Sequence, residues 1–260
     1  MQKCLEIQSD AAPRTWAQRL RGDDPLVPEA RSWFKGALGE RVVARALEEL
    51  GPEYTVLHAV PLGSGAGDID HVVLGPTGVF SLNTKNHADR DVWVGGRSFI
   101  VDGHRQSHMS RSLSEGRRAT ERLSAATGVP VLVQPLLVVE AARLRFGQKE
   151  PAVVTLRPGE VRDWMASLPR VHSSEAVRYL AMVAEERGTW HVDAVVVHDT
   201  LRHVQRFERL ERDIAEASDR RSLLRRGVRL ALLAVPAGAV LGHWWGIAVA
   251  ALLGLPSPLG

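Results

Sequence analysis

Two acids, an amide and a lysine stand within GDIDHVVLGPTGVFSLNTKN, residues 67–86: Asp68 and Asp70 before the turn Gly75-Pro76-Thr77-Gly78, Asn83 and Lys85 after it. Carboxylates are hard oxygen ligands, and magnesium is commonly held by one or two of them together with waters and substrate phosphate oxygens. A cation so held lowers the pKa of its water and offsets charge on a phosphoryl group, while a nearby lysine can orient that water or neutralise the same charge. The chemistry these residue types could perform is phosphodiester hydrolysis with Mg2+ or Mn2+. The plainer alternative is a well-made hairpin with an ion pair across it.

Hairpin geometry decides which of these groups can meet. With the loop centred on Pro76 and Thr77, Leu74 faces Val79, Val72 faces Ser81, Asp70 faces Asn83 and Asp68 faces Lys85. Side chains alternate along a strand, so Asp68, Asp70, Asn83 and Lys85 share one face, and Ile69, His71, Val73, Phe80 and Leu82 share the other. A slip of one residue would bury the charges, which favours this register. His71 then reads as a core histidine. A third acid comes from GALGERVVARALEEL, residues 36–50, which reads as a helix with Leu38, Val42, Val43, Leu47 and Leu50 on one face. At about 100° per residue, Glu40 falls beside Leu47 at the edge of that stripe. It can reach over a sheet edge toward the other groups, or serve as an acid favourably placed at the positive end of the helix dipole.

From about Trp33 to Leu168, through GALGE, the hairpin stretch and VWVGG, the sequence resembles the NERD (nuclease-related) domain, a branch of the PD-(D/E)XK nuclease-like superfamily. The likeness is greatest to actinobacterial members, in which the domain stands alone or with a membrane tail. The resemblance implies a restriction-endonuclease-like fold, a nucleic-acid partner and a divalent cation. It also implies Glu40 as the helix acid, Asp70 as the metal-holding acid and Lys85 as the lysine of the acid-x-lysine pair. The family's second acid falls on Asn83, whose oxygen can ligate but brings no charge. The lost attraction amounts to several kcal/mol at most, and roughly every 1.4 kcal/mol is tenfold in rate. Asp68 has two readings, as the replacement metal-site charge or as a salt-bridge partner of Lys85. Asn83 itself is compatible with a catalytically degenerate module that binds nucleic acid or protein without cutting.

The elements that must position these groups follow from pattern. YTVLHAV reads as a strand, VWVGGRSFIV as a short hairpin, PVLVQPLLVVE as a buried strand broken or edged by Pro135, and PAVVTL as another strand. SRSLSEGRRATERLSAATG reads as a helix ended by Gly128, with helices over 158–167 and 173–187 after it. The fold class is α/β, a mixed central sheet flanked by helices. Arg111, Arg117 and Arg118 on the helix before Gly128 suit phosphate tracking, or form a solvated face. His104 and His108 have the spacing of a zinc pair but lie in a loop pattern with no third ligand, which favours chance. The glycines of GVP and GPTG serve turns, since neither opens a helix after a strand.

The 260 residues are 45% hydrophobic and 24% charged, ordinary for a globular chain, with net charge +3 and pI near 9.4. One cysteine, Cys4, excludes an intrachain disulfide and any cysteine-cluster zinc site. The start, MQKCLEIQSDAAPR, does not read as a secretory signal. Four segments are expected: an irregular leader at 1–32, the nuclease-like domain at 33–170, a helical extension with a basic stalk at 171–228, and a transmembrane segment at 229–254. The last follows from the absence of charge after Arg229 over a length that suffices to span a bilayer. A buried core helix and two re-entrant pieces meeting at GHWWG are the alternatives. Arg220, Arg221, Arg225, Arg226 and Arg229 favour a cytoplasmic face and anionic headgroups, which gives a single-pass protein of the cell membrane with its N-terminal domain in the cytoplasm.

Overall fold

In the computed structural model, residues 1–62, 68–190 and 200–252 are described, with side chains throughout these except at 187, 200–201 and 230–252. The elements in chain order are α1 (Gln2–Ser9), α2 (Trp16–Arg21), a 3-10 turn (Pro28–Ala30), α3 (Arg31–Glu48), β1 (Thr55–Pro61), β2 (Asp68–Gly75), β3 (Gly78–Gly95), β4 (Ser98–Val101) and β5 (His104–Gln106). Then come α4 (His108–Thr127), β6 (Val133–Phe146), β7 (Val154–Leu156), a second 3-10 turn (Pro158–Glu160), α5 (Val161–Ser167), α6 (Ser174–Glu185), α7 (Arg187–Trp190) and α8 (Thr200–Leu252). They divide into two units, one of residues 32–198 and one joining 2–31 to 199–260.

The first unit is a mixed seven-stranded sheet flanked by helices, as the sequence pattern leads one to expect. Strands β1 to β5 follow one another antiparallel, while β6 runs parallel to both β3 and β7. The hairpin has the register read from sequence: Gly75 opposes Gly78, Leu74 opposes Val79, and His71 opposes Leu82. Alternation then sends Phe80 and Leu82 to one helical layer, where they pack with Val43 and Leu47 of α3 and Met165 of α5. Val79 goes to the other layer, with Val72, Leu74, and Ala119 and Leu123 of α4. Burial of each large apolar side chain contributes about 1.5–3 kcal/mol, so a slipped register would forfeit many such terms at once.

Strand β3 is longer than its pattern suggests, and its pairing is uneven. One edge runs along β6 from Val79 to Val94, with an irregularity between His87 and Asp91. On the other edge β2 pairs only as far as Leu82, and β4 begins at Val92. At His71 the two hairpin strands fork: β2 continues alongside β1 to the Pro61–Asp68 pair, while β3 continues with β6. The stretch of β3 from Asn83 to Arg90 therefore has no strand partner on that edge among the described residues.

Several expectations are corrected. Pro135 does not break β6: it opposes Ser81 on the β3 side and lies one residue before the pairing with β7 begins, so among the described residues it has a strand neighbour on one side only, as the edge reading expects. On α3 the buried positions are Phe34, Ala37, Gly39, Val43 and Leu47, and Val42 is 41% exposed, because the face is centred on the close approach of Gly39 to β3. Helix α6 belongs to the sheet unit instead of an extension, since Leu180 and Ala184 join the α4-side core. The leader is not irregular. Thr15 caps α2 through a reciprocal pair with Gln18, and Gly22 ends it in the left-handed conformation. Helices this short leave little periodicity to read.

In the second unit, Cys4, Phe207 and Ala217 are buried, and a side chain at Gly22 would come within 2.6 Å of the Ala217 carbonyl of α8. The backbone of α8 is helical to Leu252. The side chains of the expected membrane segment 229–254 lie outside the described residues from position 230 on, as do residues 253–254 altogether. Among the described residues no helix is long and apolar enough to cross a membrane, so the fold lends the transmembrane helix no support.

Candidate active site

The fork between β2 and β3 creates the site. Where the hairpin ladder stops, the Thr84 amide would lack a strand partner, and it donates instead to Asp70 Oδ2 at 2.5 Å. This bond ties the carboxylate of β2 to the backbone of β3. On the same face of β3, Lys85 Nζ donates to the Thr84 carbonyl at 2.9 Å and to Asn83 Oδ1. Asn83, 8% exposed, donates from Nδ2 to Glu115 Oε2 of α4 at 2.5 Å. A continuous polar chain thus runs from Lys85 through Asn83 to Glu115.

Two glycines bring the helices close enough to contribute. A Cβ on Gly39 would stand 2.9 Å from the Asn86 Cβ and 3.3 Å from Thr84 Cγ2, so only glycine lets α3 lie against β3 one residue before Glu40. A Cβ on Gly116 would stand 3.0 Å from the Pro135 ring, so α4 rests on β6 one residue after Glu115. Arg118 also donates to the Leu62 carbonyl, which pins α4 beside the end of β1.

The electrostatics show that these groups sense one another. Burial pushes the Asp70 carboxyl up to about 6, Glu40 and Glu115 add to the rise, and Lys85 and the Thr84 amide oppose it. Burial also draws the Lys85 ammonium below its ordinary value; Asp70, Glu115 and Glu40 counter this, and Arg111 reinforces it. The result is a largely buried lysine and aspartate with two further carboxylates acting on both.

Of the residues singled out in sequence, Asp70, Asn83, Lys85 and Glu40 are brought together. Asp68 is not: it is exposed at the start of β2 opposite Pro61, and Lys85 opposes Val139 of β6, because the fork ends the pairing that would have set Asp68 across from Lys85. Arg111 and Arg117 are exposed on α4, whereas Arg118 is committed to Leu62. His71 is buried and shares a 2.7 Å Nδ1 to Nδ1 hydrogen bond with His58, with burial pushing it down to about 4. His104 lies on β5 and is not paired with His108 on a common helix.

Two residues near the site, Glu115 and His87, were not anticipated from sequence, and a third, His108, opens α4 and does not lie in the loop expected for it. For Glu115 the nearest signal was the glycine after it inside a helical pattern, which marks a close approach. His87 lies two residues beyond Lys85 on the same strand face, its ring 5.7 Å from that of His108. His87 Nε2 and both ring nitrogens of His108 are buried without a hydrogen-bond partner. Burial pushes His108 down to about 3, and Lys85 nearby adds to this. Among the described residues, no three His, Cys, Asp or Glu converge tightly enough to form a metal site by themselves. A magnesium ion needs only one or two protein carboxylates and completes its shell with waters and phosphate oxygens, so the oxygen donors at the fork suit it.

Residues 35–139, which carry Glu40, Asp70, Asn83, Lys85 and Glu115, match the family model described as nuclease-related domain. An uncharacterised protein of Bacillus anthracis is 43% identical over 67 residues, a match covering 24% of this chain and 30% of that protein. No solved structure matches.

Proposed function

The chain carries a nuclease-related (NERD) domain at residues 35–139, and on that premise we propose that it hydrolyses phosphodiester bonds of DNA or RNA with the help of Mg2+ or Mn2+. The observation that carries this reading is the fork, which gathers Asp70, Asn83 and Lys85 where β2 no longer pairs with β3, with Glu40 close enough for its charge to act on Asp70 and Lys85. Asp70 would hold the cation, with Asn83 Oδ1 as a neutral oxygen ligand and Glu40 adding charge nearby. The bound ion would supply a water of lowered pKa and positive charge for phosphate oxygens. Lys85, held by the Thr84 carbonyl and Asn83, would donate an N–H hydrogen bond to the attacking water or to a phosphate oxygen. Arg111 and Arg117 would contact the nucleic-acid backbone and make binding salt-dependent.

The test is release of acid-soluble nucleotides by the full chain with either metal. Asp70→Ala and Lys85→Ala should each abolish it, and absence of cleavage across a broad set of DNA and RNA substrates would refute the enzyme reading. One observation favours a second reading, a module that binds without cutting: the Asn83 amide oxygen is already engaged by Lys85. That reading expects salt-sensitive binding indifferent to chelator and no cleavage with any metal.

The membrane placement is carried by the sequence alone, through the uncharged residues 230–254 and the arginines from Arg220 to Arg229. It places the nuclease-related domain in the cytoplasm. Retention of the full chain in membranes washed at alkaline pH supports it, and release into the wash rules it out.

A further inference from the structure

We propose that Glu115 of α4 supplies the second acidic position of this site, the one that Asn83 leaves without charge. The inference rests on the metal-dependent reading above and extends it to a residue on a different element.

Glu115 Oε2 lies 2.5 Å from Asn83 Nδ2, so the helix carboxylate touches the end of the strand side chain. An acid at 83 with Glu115 unchanged would set two carboxylates in contact, and like charges so close cannot both ionise. Asparagine at 83 and glutamate at 115 therefore form a matched pair: one carboxylate at this place, moved from the strand to the helix. The amide between them uses both ends, its oxygen accepting from Lys85 and its nitrogen donating to Glu115.

The helix is fixed well enough to keep that carboxylate in place. Gly116 lies against Pro135, Ser112 is buried one turn earlier, and Arg118 is bonded to the Leu62 carbonyl. These contacts surround Glu115 on its own helix. Its charge acts on both Asp70 and Lys85, the two residues nearest the proposed chemistry.

The experiment measures Mn2+ binding to the full chain by electron paramagnetic resonance, with no substrate present, for the wild type, Asp70→Ala, Glu115→Gln, Glu115→Asp and the double variant Asn83→Asp with Glu115→Gln. Glu115→Gln preserves size and leaves Asn83 a hydrogen-bond acceptor, and circular dichroism verifies its fold. It should weaken Mn2+ binding by about tenfold or more, the scale on which changes beside metal ligands act. Glu115→Asp, which keeps the charge, should lose less, and the double variant, which returns the charge to the strand, should recover most of the affinity. If Asp70→Ala abolishes binding while Glu115→Gln leaves it unchanged, this inference is overturned and the metal reading stands. Weak binding in the double variant, with Glu115→Gln equally weak, would also overturn it, because charge at that place would not be what matters. If the wild type binds no Mn2+, both fall.

Discussion

Asp70 is held in a place that disfavours its own charge, which gives a prediction opposite in sign for stability and for activity. Its carboxyl is raised from an ordinary 3.8 to about 6, first by burial and then by Glu40 and Glu115. An acid raised in this way binds its proton more tightly folded than unfolded. The destabilisation is absent below about pH 3.8, grows as pH rises, and is complete above about 6. At about 1.4 kcal/mol per pH unit, the full effect is about 3 kcal/mol. Asp70→Asn removes that charge while an amide oxygen can still accept from Thr84, and the loss of the stronger bond to the charged carboxylate is already contained in that figure. The variant should therefore be about 3 kcal/mol more stable than the wild type at pH 8 in chelator, and show no such gain at pH 4. For a unit of this size that corresponds to ~6–12 °C in the melting of the sheet unit. Melting followed by circular dichroism at the two pH values, with and without Mg2+, reads it out. Mg2+ should raise the wild type at pH 8 and leave the variant unmoved. A variant no more stable at pH 8 than the wild type would refute the picture of Asp70 as a buried acid among acids.

Two further substitutions probe how the site is assembled and approached. Gly39→Ala sets a Cβ 2.9 Å from the Asn86 Cβ, an atom that cannot swing aside, and should destabilise by about 1–3 kcal/mol with reduced cleavage; Gly36→Ala, with nothing within 4 Å, should stabilise by up to about 1 kcal/mol through helix propensity, and thermal melts compare them. Arg117→Ala should weaken nucleic-acid binding and reduce its salt slope by about one without changing the melt, whereas Arg118→Ala, which loses the bond to Leu62, should lower the melting temperature.

The hairpin register was legible because Val73, Phe80 and Leu82 form one apolar face and a two-residue turn joins the strands; only one pairing buries that set. Ile69, expected on that face, lies instead in the α4-side core with Val72 and Leu74, because the β1–β2 pairing skips Ala59 and Asp70. Where the pairing stops was not legible. It depends on β1 drawing β2 away at His71 and on β6 keeping β3, contacts between segments far apart in sequence. This is why Asp70 meets the Thr84 amide beside Asn83 and Lys85, while Asp68 stands opposite Pro61 at the start of β2. Glu115 was hidden for a related reason: helical periodicity gives the apolar face of α4, but the height of that helix over the sheet is set by Gly116 meeting Pro135. Pro135, read as breaking or edging its strand, sits in β6 just before β7 begins to pair. The helices of residues 2–21 are too short for periodicity, and their order comes from caps and from packing in a unit completed by residues beyond 199.

The most direct measurement is nucleotide release by the full chain as a function of pH at two Mg2+ concentrations, beside Asp70→Ala. With Asp70 as the metal-holding acid, release at low Mg2+ should climb about tenfold per pH unit up to about pH 6 and level off above it. Higher Mg2+ should shift the rise to lower pH, and Asp70→Ala should be inactive throughout. Cleavage that survives Asp70→Ala, or no cleavage by the wild type at any pH or metal concentration, would contradict the account.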